Sequence, residues 1–121
     1  MTFRQENPAD HLPLSAAVLH VLLALADEER HGYGIMLEIE RRTAGSFRPG
    51  SGTLYGTIKR LLSSRLIQES GERPDPELDD ARRRYYRLTV FGRRVLEAEM
   101  KRLQQLVGVA KIKKLLPSAA L

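Results

Sequence analysis

The chain has 121 residues, of which 42% are hydrophobic and 29% charged, so it has the size and composition of one soluble domain. The sequence contains no cysteine, which excludes disulfides, thiolate zinc sites and cysteine nucleophiles. Its longest apolar run, residues 16–26, is too short to cross a bilayer, which favours a cytoplasmic protein without membrane association. The net charge is +5, with four bases and seven acids in positions 1–45 but sixteen bases and eight acids in positions 46–121, an asymmetry that suggests a polyanionic partner.

The first predicted helix follows an irregular start. Residues 1–13 are polar and aperiodic, and we expect them to form a flexible N-terminal tail. Ser15 is a good N-cap, and the apolar residues after it recur at helical spacing, so a largely buried helix is predicted. Residues 27–30 are predicted to be its solvated exit.

Two more short helices are predicted next. One opens at His31 and stops at Gly45, a residue type that commonly follows a helix C-terminus. The other enters at Ser51 and reaches about Ser64, with its leucines and isoleucine on one face. Three short helices joined by tight connections are typical of helix-turn-helix proteins.

A β-hairpin and a long helix are predicted to complete the chain. Residues 66–69 and 83–88 read as strands around the acidic, turn-rich segment 72–80. A helix capped by Thr89 and ended by Pro117 then carries apolar residues spaced by four, three, four and three, the spacing of a coiled-coil seam. This seam predicts a homodimer interface formed by Leu96, Met100, Leu103, Val107 and Ala110.

The predicted fold class is therefore mainly α with a small β-hairpin. Residues 14–88 would form a winged helix-turn-helix DNA-binding domain, and residues 89–117 a C-terminal dimerisation helix.

The outward face of the third helix is the candidate surface for reading DNA. With about 100° per residue and the apolar face turned inward, the opposite face carries small, polar and basic residues. Small residues allow close approach to the groove, and hydroxyl and basic side chains can bond to bases or phosphates. Gly56 costs the helix about 1 kcal/mol relative to alanine, which favours this interpretation over an ordinary polar surface. The predicted DNA-binding residues of this face are Ser51, Gly52, Thr53, Tyr55, Gly56, Lys59, Arg60 and Ser63.

Three consecutive arginines are predicted to contact DNA from the hairpin. Arg82, Arg83 and Arg84 could straddle a phosphate backbone and place a guanidinium in the minor groove, although such charges also protect an edge strand from pairing. The carboxylates between Asp75 and Asp80 would be repelled by phosphates. We therefore expect that loop to bend away or to pair with the arginines.

Three segments carry a resemblance to a known family. HGYGI at 31–35, GTLY at 52–55 and YYRLT followed by glycine at 85–92, in this order and spacing, resemble the PadR family of bacterial transcriptional regulators, in particular its small subfamily with a single C-terminal helix. The resemblance covers most of residues 14–100. It implies a winged helix-turn-helix domain, a two-fold homodimer, repression at an inverted-repeat operator in double-stranded DNA, and Tyr55 near phosphate. It also implies a small hydrophobic or aromatic effector.

The sequence departs from that family at two places. Arg65 stands where glycine commonly precedes "LI", which predicts a strained or extended helix end. The acidic loop of the hairpin differs from the family's usual basic tip, which leaves the depth of the wing in the minor groove open.

No catalytic residue, cofactor or metal site is expected. The three histidines, His11, His20 and His31, have no partner at ligand or triad spacing, and the acidic loop lacks the glycine and terminal glutamate of a calcium loop. The alternative to a DNA-reading regulator is a winged-helix protein-interaction module that uses its basic face for an acidic partner.

Overall fold

The structure, a computed structural model, describes residues 6–118. The chain is mainly helical with one small antiparallel sheet, which confirms the predicted fold class. The elements in chain order are a short 3-10 helix Pro8–His11, α1 Ala16–Ala24, β1 Arg30–His31, α2 Gly32–Arg42, α3 Ser51–Ser63, β2 Ile67–Pro74, β3 Arg82–Leu88 and α4 Val90–Ile112. Across residues 6–118, none of the helices has the length and hydropathy that spanning a membrane would require.

The hydrophobic core lies where the helices meet the sheet. The four α-helices contribute buried apolar residues, and Tyr86 of β3 is buried with them. Burial of this kind stabilises the fold by about 25 cal/mol for each Å² of apolar surface removed from water. The buried hydrophobic residues are Val21, Leu22, Ala24, Leu25, Ile35, Ile39, Leu54, Ile58, Leu61, Leu66, Ile67, Tyr86, Val95 and Leu96.

The predicted N-caps of α1 and α4 are confirmed. The Ser15 hydroxyl accepts a hydrogen bond from the Val18 N–H at 3.3 Å, and the Thr89 hydroxyl accepts one from the Gly92 N–H at 2.9 Å. Each bond satisfies a backbone donor that the first turn of a helix leaves without a partner. The two caps therefore determine where the first and last helices begin.

Part of the predicted flexible tail is folded. Residues 8–11 form the 3-10 helix, and the His11 ring meets the Phe91 ring of α4 edge-on at 5.4 Å. The Leu14 N–H donates to Glu99 Oε2 at 2.9 Å. The prediction of a loose tail is therefore wrong for residues 6–13, because contacts with α4 order a segment that has no periodicity of its own. Residues 1–5 of that tail lie outside the described residues.

Two helices end in left-handed backbone. Gly45 has φ +78° after α2, as expected for a stop, and its N–H donates to Glu40 O at 2.8 Å. After α3, Arg65 has φ +60° and the Leu66 N–H donates to Leu61 O at 3.0 Å. This is the geometry that glycine adopts without strain, so Arg65 makes the end of α3 strained and does not extend the helix.

The sheet has three strands where a two-stranded hairpin was predicted. Its order is β1-β3-β2, with Arg30 paired to Tyr86 and His31 to Tyr85. Residues 27–30 were predicted to be a solvated exit, which is wrong for Arg30. Strand β2 also continues to Pro74, beyond the predicted end at residue 69. Cross-strand pairing with β3 overrides the turn signals in that segment.

A close contact fixes the start of α4. A Cβ atom on Gly92 would lie 1.9 Å from the Leu66 carbonyl oxygen, so only glycine allows the first turn of α4 to approach β2. The Thr89 hydroxyl also donates to Arg65 O at 2.7 Å. The C-terminal helix is thereby attached directly to the end of α3.

Candidate nucleic-acid interface

Helix α3 divides into a buried face and an exposed face. Leu54, Thr57, Ile58 and Leu61 are buried against the core. Seven of the eight predicted residues are exposed, and Gly56 is half-buried; the exposed seven are Ser51, Gly52, Thr53, Tyr55, Lys59, Arg60 and Ser63. Helical geometry places Gly52, Gly56, Lys59 and Ser63 on the side opposite the core, with Thr53, Tyr55 and Arg60 at its flanks. Ser51 is exposed at the start of the helix, on the side of Leu54 and Ile58. Within the protomer, that face is open to solvent.

The two glycines of this face have open space in front of them. A Cβ atom at Gly52 or at Gly56 would have no neighbour within 4 Å. Neither glycine is therefore required by packing inside the protomer. A smooth helix surface at these positions allows a partner's surface to approach the α3 backbone.

Lys59 and Arg60 give the same face a positive charge that no carboxylate neutralises. Arg60 Nη2 donates to the Thr57 hydroxyl at 3.3 Å, and among residues 6–118 neither basic side chain pairs with an acid. By contrast, Arg30, Arg42 and Arg73 are all in ion pairs. Unpaired cations on one face produce a potential that attracts polyanions.

Tyr55 connects α3 to the start of α2. A Cβ atom at Gly32 would lie 2.6 Å from the Tyr55 hydroxyl oxygen, so glycine at the first turn of α2 makes room for this ring. Half of Tyr55 remains exposed. Its ring borders a cleft of 220 Å³ that Tyr33 and the three wing arginines, Arg82, Arg83 and Arg84, also line. Tyr33 was not predicted as a site residue, although it lies in the HGYGI segment, because a tyrosine in a helical pattern gives no sign of which neighbours it meets.

The structure separates the three wing arginines. Strand alternation places Arg82 and Arg84 on one face of β3 and Arg83 on the other. Arg82 Nη2 donates to Glu72 O at 2.6 Å, while Arg84 Nε lies 3.3 Å from a Glu69 carboxylate oxygen. Both side chains are exposed.

Arg83 differs from its two neighbours because it is half-buried. Its Nη2 donates to Asp79 Oδ2 at 3.0 Å, and its guanidinium carbon lies 5.8 Å from the centre of the Tyr33 ring. Arg83 is thus engaged inside the protomer, although all three arginines line the cleft beside Tyr55.

The acidic loop behaves as expected, because it both bends and pairs with an arginine. Asp79 bonds to Arg83, and Asp75 Oδ2 lies 2.8 Å from Nε2 of His31 at the start of α2. The bond to His31 is the main cause that lowers the pKa of Asp75, and the Glu77 N–H adds to it. The loop is held against α2.

One predicted dimer residue belongs to the protomer core instead. Leu96 is 5% exposed and packs with the core residues, so the prediction that it forms the interface is wrong. The heptad pattern runs through both the part of α4 that covers the domain and the part that projects from it. Met100 is at the boundary, and Leu103, Val107 and Ala110 are half-buried.

Beyond Met100, α4 exposes further apolar side chains beside the predicted seam. Leu106, Val109 and Ile112 are 53%, 46% and 82% exposed. The projecting half of α4 thus has an apolar surface that nothing within residues 6–118 covers.

Glu99 is a buried charge that sequence reasoning did not identify. Its side chain is 1% exposed, and its Oε2 accepts from the Leu14 N–H and from Arg102 Nη2, at 2.9 and 3.1 Å. Hydrogen bonds from Arg102, and then from the Leu14 backbone, lower the pKa of Glu99. This carboxylate ties the N-terminal segment to α4.

Comparison with known proteins places the chain in a family. Residues 19–98 match the family described as "Transcriptional regulator PadR-like family". Transcriptional regulator Rv3488 of Mycobacterium tuberculosis is 36% identical over 92 residues, which are 76% of this chain and 79% of that protein. An uncharacterised 37.1 kDa protein in transposon TN4556 of Streptomyces fradiae is 37% identical over 92 residues, and there the matched part spans 24% of the relative's length.

Two solved structures of transcription regulators have a similar fold. A PadR family transcription regulator of Clostridium difficile is 25% identical with a TM-score of 0.65, covering 80% of this chain and 96% of that one. Bacillus subtilis PadR in complex with operator DNA is 17% identical with a TM-score of 0.61, covering 71% of this chain and 47% of that one. The fold is that of the winged-helix regulators, and the family match supports a regulator of transcription and not an enzyme. The chain belongs to the transcriptional regulator PadR-like family.

Proposed function

We propose that this chain is a sequence-specific DNA-binding repressor that acts as a homodimer on an inverted-repeat operator. The main support for the proposal is the composition of the outward face of α3. It combines two glycines with open space in front of them and two unpaired basic side chains, Lys59 and Arg60, with no acidic residue in the helix. A helix of this kind fits the major groove, where its backbone must come close and its charges meet phosphates.

The wing and the start of α2 supply contacts to the phosphate backbone in this proposal. Tyr33, Tyr55, Arg82 and Arg84 line one cleft, and hydroxyl and guanidinium groups are the usual donors to phosphate oxygens. Arg83 also lines this cleft but is not assigned this role, because its side chain is half-buried and its guanidinium bonds to Asp79. The similar fold of Bacillus subtilis PadR, solved with operator DNA, supports DNA as the partner.

The projecting half of α4 is proposed to pair with a second copy of the chain. Its exposed Leu106, Val109 and Ile112 would lose contact with water in such a dimer. Two recognition helices must stand about 34 Å apart to enter successive major grooves on one side of the duplex. A small hydrophobic or aromatic effector would release the DNA if it changed the angle between the subunits. A regulator of chromosomal transcription would act in the cytoplasm.

The experiment is a titration of purified protein with the DNA upstream of its own gene, at several salt concentrations and with a scrambled competitor. We expect affinity to fall by about 0.9 log units per log unit of salt for each phosphate contact. We expect the upstream DNA to bind at least about a thousandfold more tightly than scrambled DNA. Weak binding that does not distinguish the two would instead favour the protein-interaction module.

A further inference from the structure

The wing loop, residues 75–81, is hydrogen-bonded to the start of α2 through Asp75. We propose that His31 and Asp75 are positioning residues whose hydrogen bond anchors the wing loop on α2 and keeps its carboxylates away from bound DNA. The proposal rests on the proposed function, since it concerns the same DNA-binding surface.

His31 is placed so that both ring nitrogens are used. The side chain is 4% exposed, and its Nδ1 accepts a hydrogen bond from the Gly34 N–H at 3.0 Å, which caps α2. A backbone N–H can only donate, so Nδ1 carries no hydrogen and Nε2 does. The Nε2 hydrogen is then directed to Asp75 Oδ2, 2.8 Å away. The cap therefore sets the tautomer that anchors the loop.

Asp75 organises the loop that it anchors. Its Oδ1 accepts from the Glu77 N–H at 3.1 Å, and its backbone carbonyl accepts from the N–H groups of Leu78 and Asp79 at 3.0 and 3.2 Å. The turn thus closes on Asp75, and Asp75 bonds to His31. Loss of the bond between the two side chains would release the turn from α2 and leave it attached to β3 through Asp79 and Arg83.

The consequence for DNA follows from the charges in the loop. The side chains of Glu77 and Asp80 form no ion pair within residues 6–118, and the loop leads directly into Arg82 and Arg84. A loop that left α2 could bring these carboxylates near the phosphates that the arginines would contact. Like charges repel, most strongly at low salt.

Two substitutions each remove one of the two side chains that form the hydrogen bond between His31 and Asp75. In His31→Asn the asparagine still caps α2, as this residue type does well, but it is too short to reach Asp75. In Asp75→Ala the cap stays intact and the carboxylate is removed. We expect each variant to bind duplex DNA several-fold more weakly than the parent at low salt, with the difference shrinking at high salt. Fluorescence anisotropy with a labelled duplex of the upstream DNA measures this.

A rescue experiment distinguishes an effect of the loop's carboxylates on DNA binding from a general loss of structure. Adding Glu77→Gln and Asp80→Asn to each released variant should restore most of the lost affinity, whereas the same pair in the parent should change affinity less. Hydrogen exchange of the Glu77 to Asp79 amides should be faster in both released variants.

The possible results decide between the explanations. Unchanged affinity in the released variants, or a loss that the neutral substitutions do not restore, would overturn the proposal while leaving α3 as the reading element. If the parent itself fails to bind duplex DNA, the proposed function fails together with this role of the loop.

Discussion

Gly56→Ala should raise the stability of the protein and lower its affinity for DNA. Gly56 lies inside the 13-residue helix α3, and a Cβ atom there would have no neighbour within 4 Å. The substitution should therefore gain the helix propensity difference between the two residues, about 1 kcal/mol, without a steric cost. For a chain of this length, that is an increase in Tm of roughly 3–6 °C, measurable by circular dichroism.

The new methyl group would stand on the outward face of α3, between its backbone and the floor of the major groove. We expect the affinity for the upstream DNA to fall about tenfold, which corresponds to about 1.4 kcal/mol of binding free energy. Anisotropy titrations of parent and variant measure this. Stability and binding should thus change in opposite directions.

Gly108→Ala is the matched control. It adds the same methyl group inside a helix, again with nothing within 4 Å, but on α4. It should stabilise the protein to a similar degree. Gly108 lies in the half of α4 that is proposed to pair with a second copy, so sedimentation equilibrium of this variant first shows that the dimer is intact; DNA binding should then be unchanged. If Gly56→Ala is more stable yet binds DNA as tightly as the parent, the inference that α3 needs a bare backbone against the groove is refuted. A loss of stability would show instead that Gly56 has a packing role.

Three further predictions concern other parts of the molecule. Glu99→Gln should lower the free energy of unfolding by roughly 1–3 kcal/mol at neutral pH. Because the pKa of Glu99 is lowered in the folded protein, the extra stability of the parent is complete above the ordinary pKa of 4.5 and is lost as the pH falls through the lowered value. Urea titrations of both proteins at neutral and acidic pH measure this difference. Replacing Met100 and Leu103 together by glutamate should convert the proposed dimer to monomer in sedimentation equilibrium, and a dimer that persists would place the interface elsewhere. Arg65→Gly should raise stability by about 0.5–1 kcal/mol in thermal unfolding, because glycine takes φ +60° without strain; an unchanged or lower Tm would contradict this.

Local chemistry predicted the helices well, because their signals lie within a few residues of each other. Ser15 and Thr89 cap helices as expected, and Arg65 at a glycine position indicated the strained end of α3. The periodicity of α3 correctly separated its buried face from its exposed face. These features depend on backbone hydrogen bonding and on burial of one helix side, which a sequence displays directly.

The missed features depend on contacts between distant segments. Strand β1 has two residues, too few for alternation to be seen, and it exists only through pairing with β3. Glu99 looks like an ordinary charged position on an amphipathic helix, until Leu14 and Arg102 are found around it. The heptad spacing included Leu96, because the same apolar stripe serves the protomer core first and the projecting part of α4 afterwards.

We propose that α3 binds DNA through its outward face. Two variants that remove equal charge, one on α3 and one on α4, test this proposal. Lys59→Ala with Arg60→Ala removes two charges from that face, while Lys101→Ala with Arg94→Ala removes the same two residue types from exposed positions of α4. We expect only the α3 variant to lose most of its affinity for the upstream DNA, with a salt dependence shallower by about 0.9 for each phosphate contact removed. Equal affinities for the two variants in the same titration would contradict it.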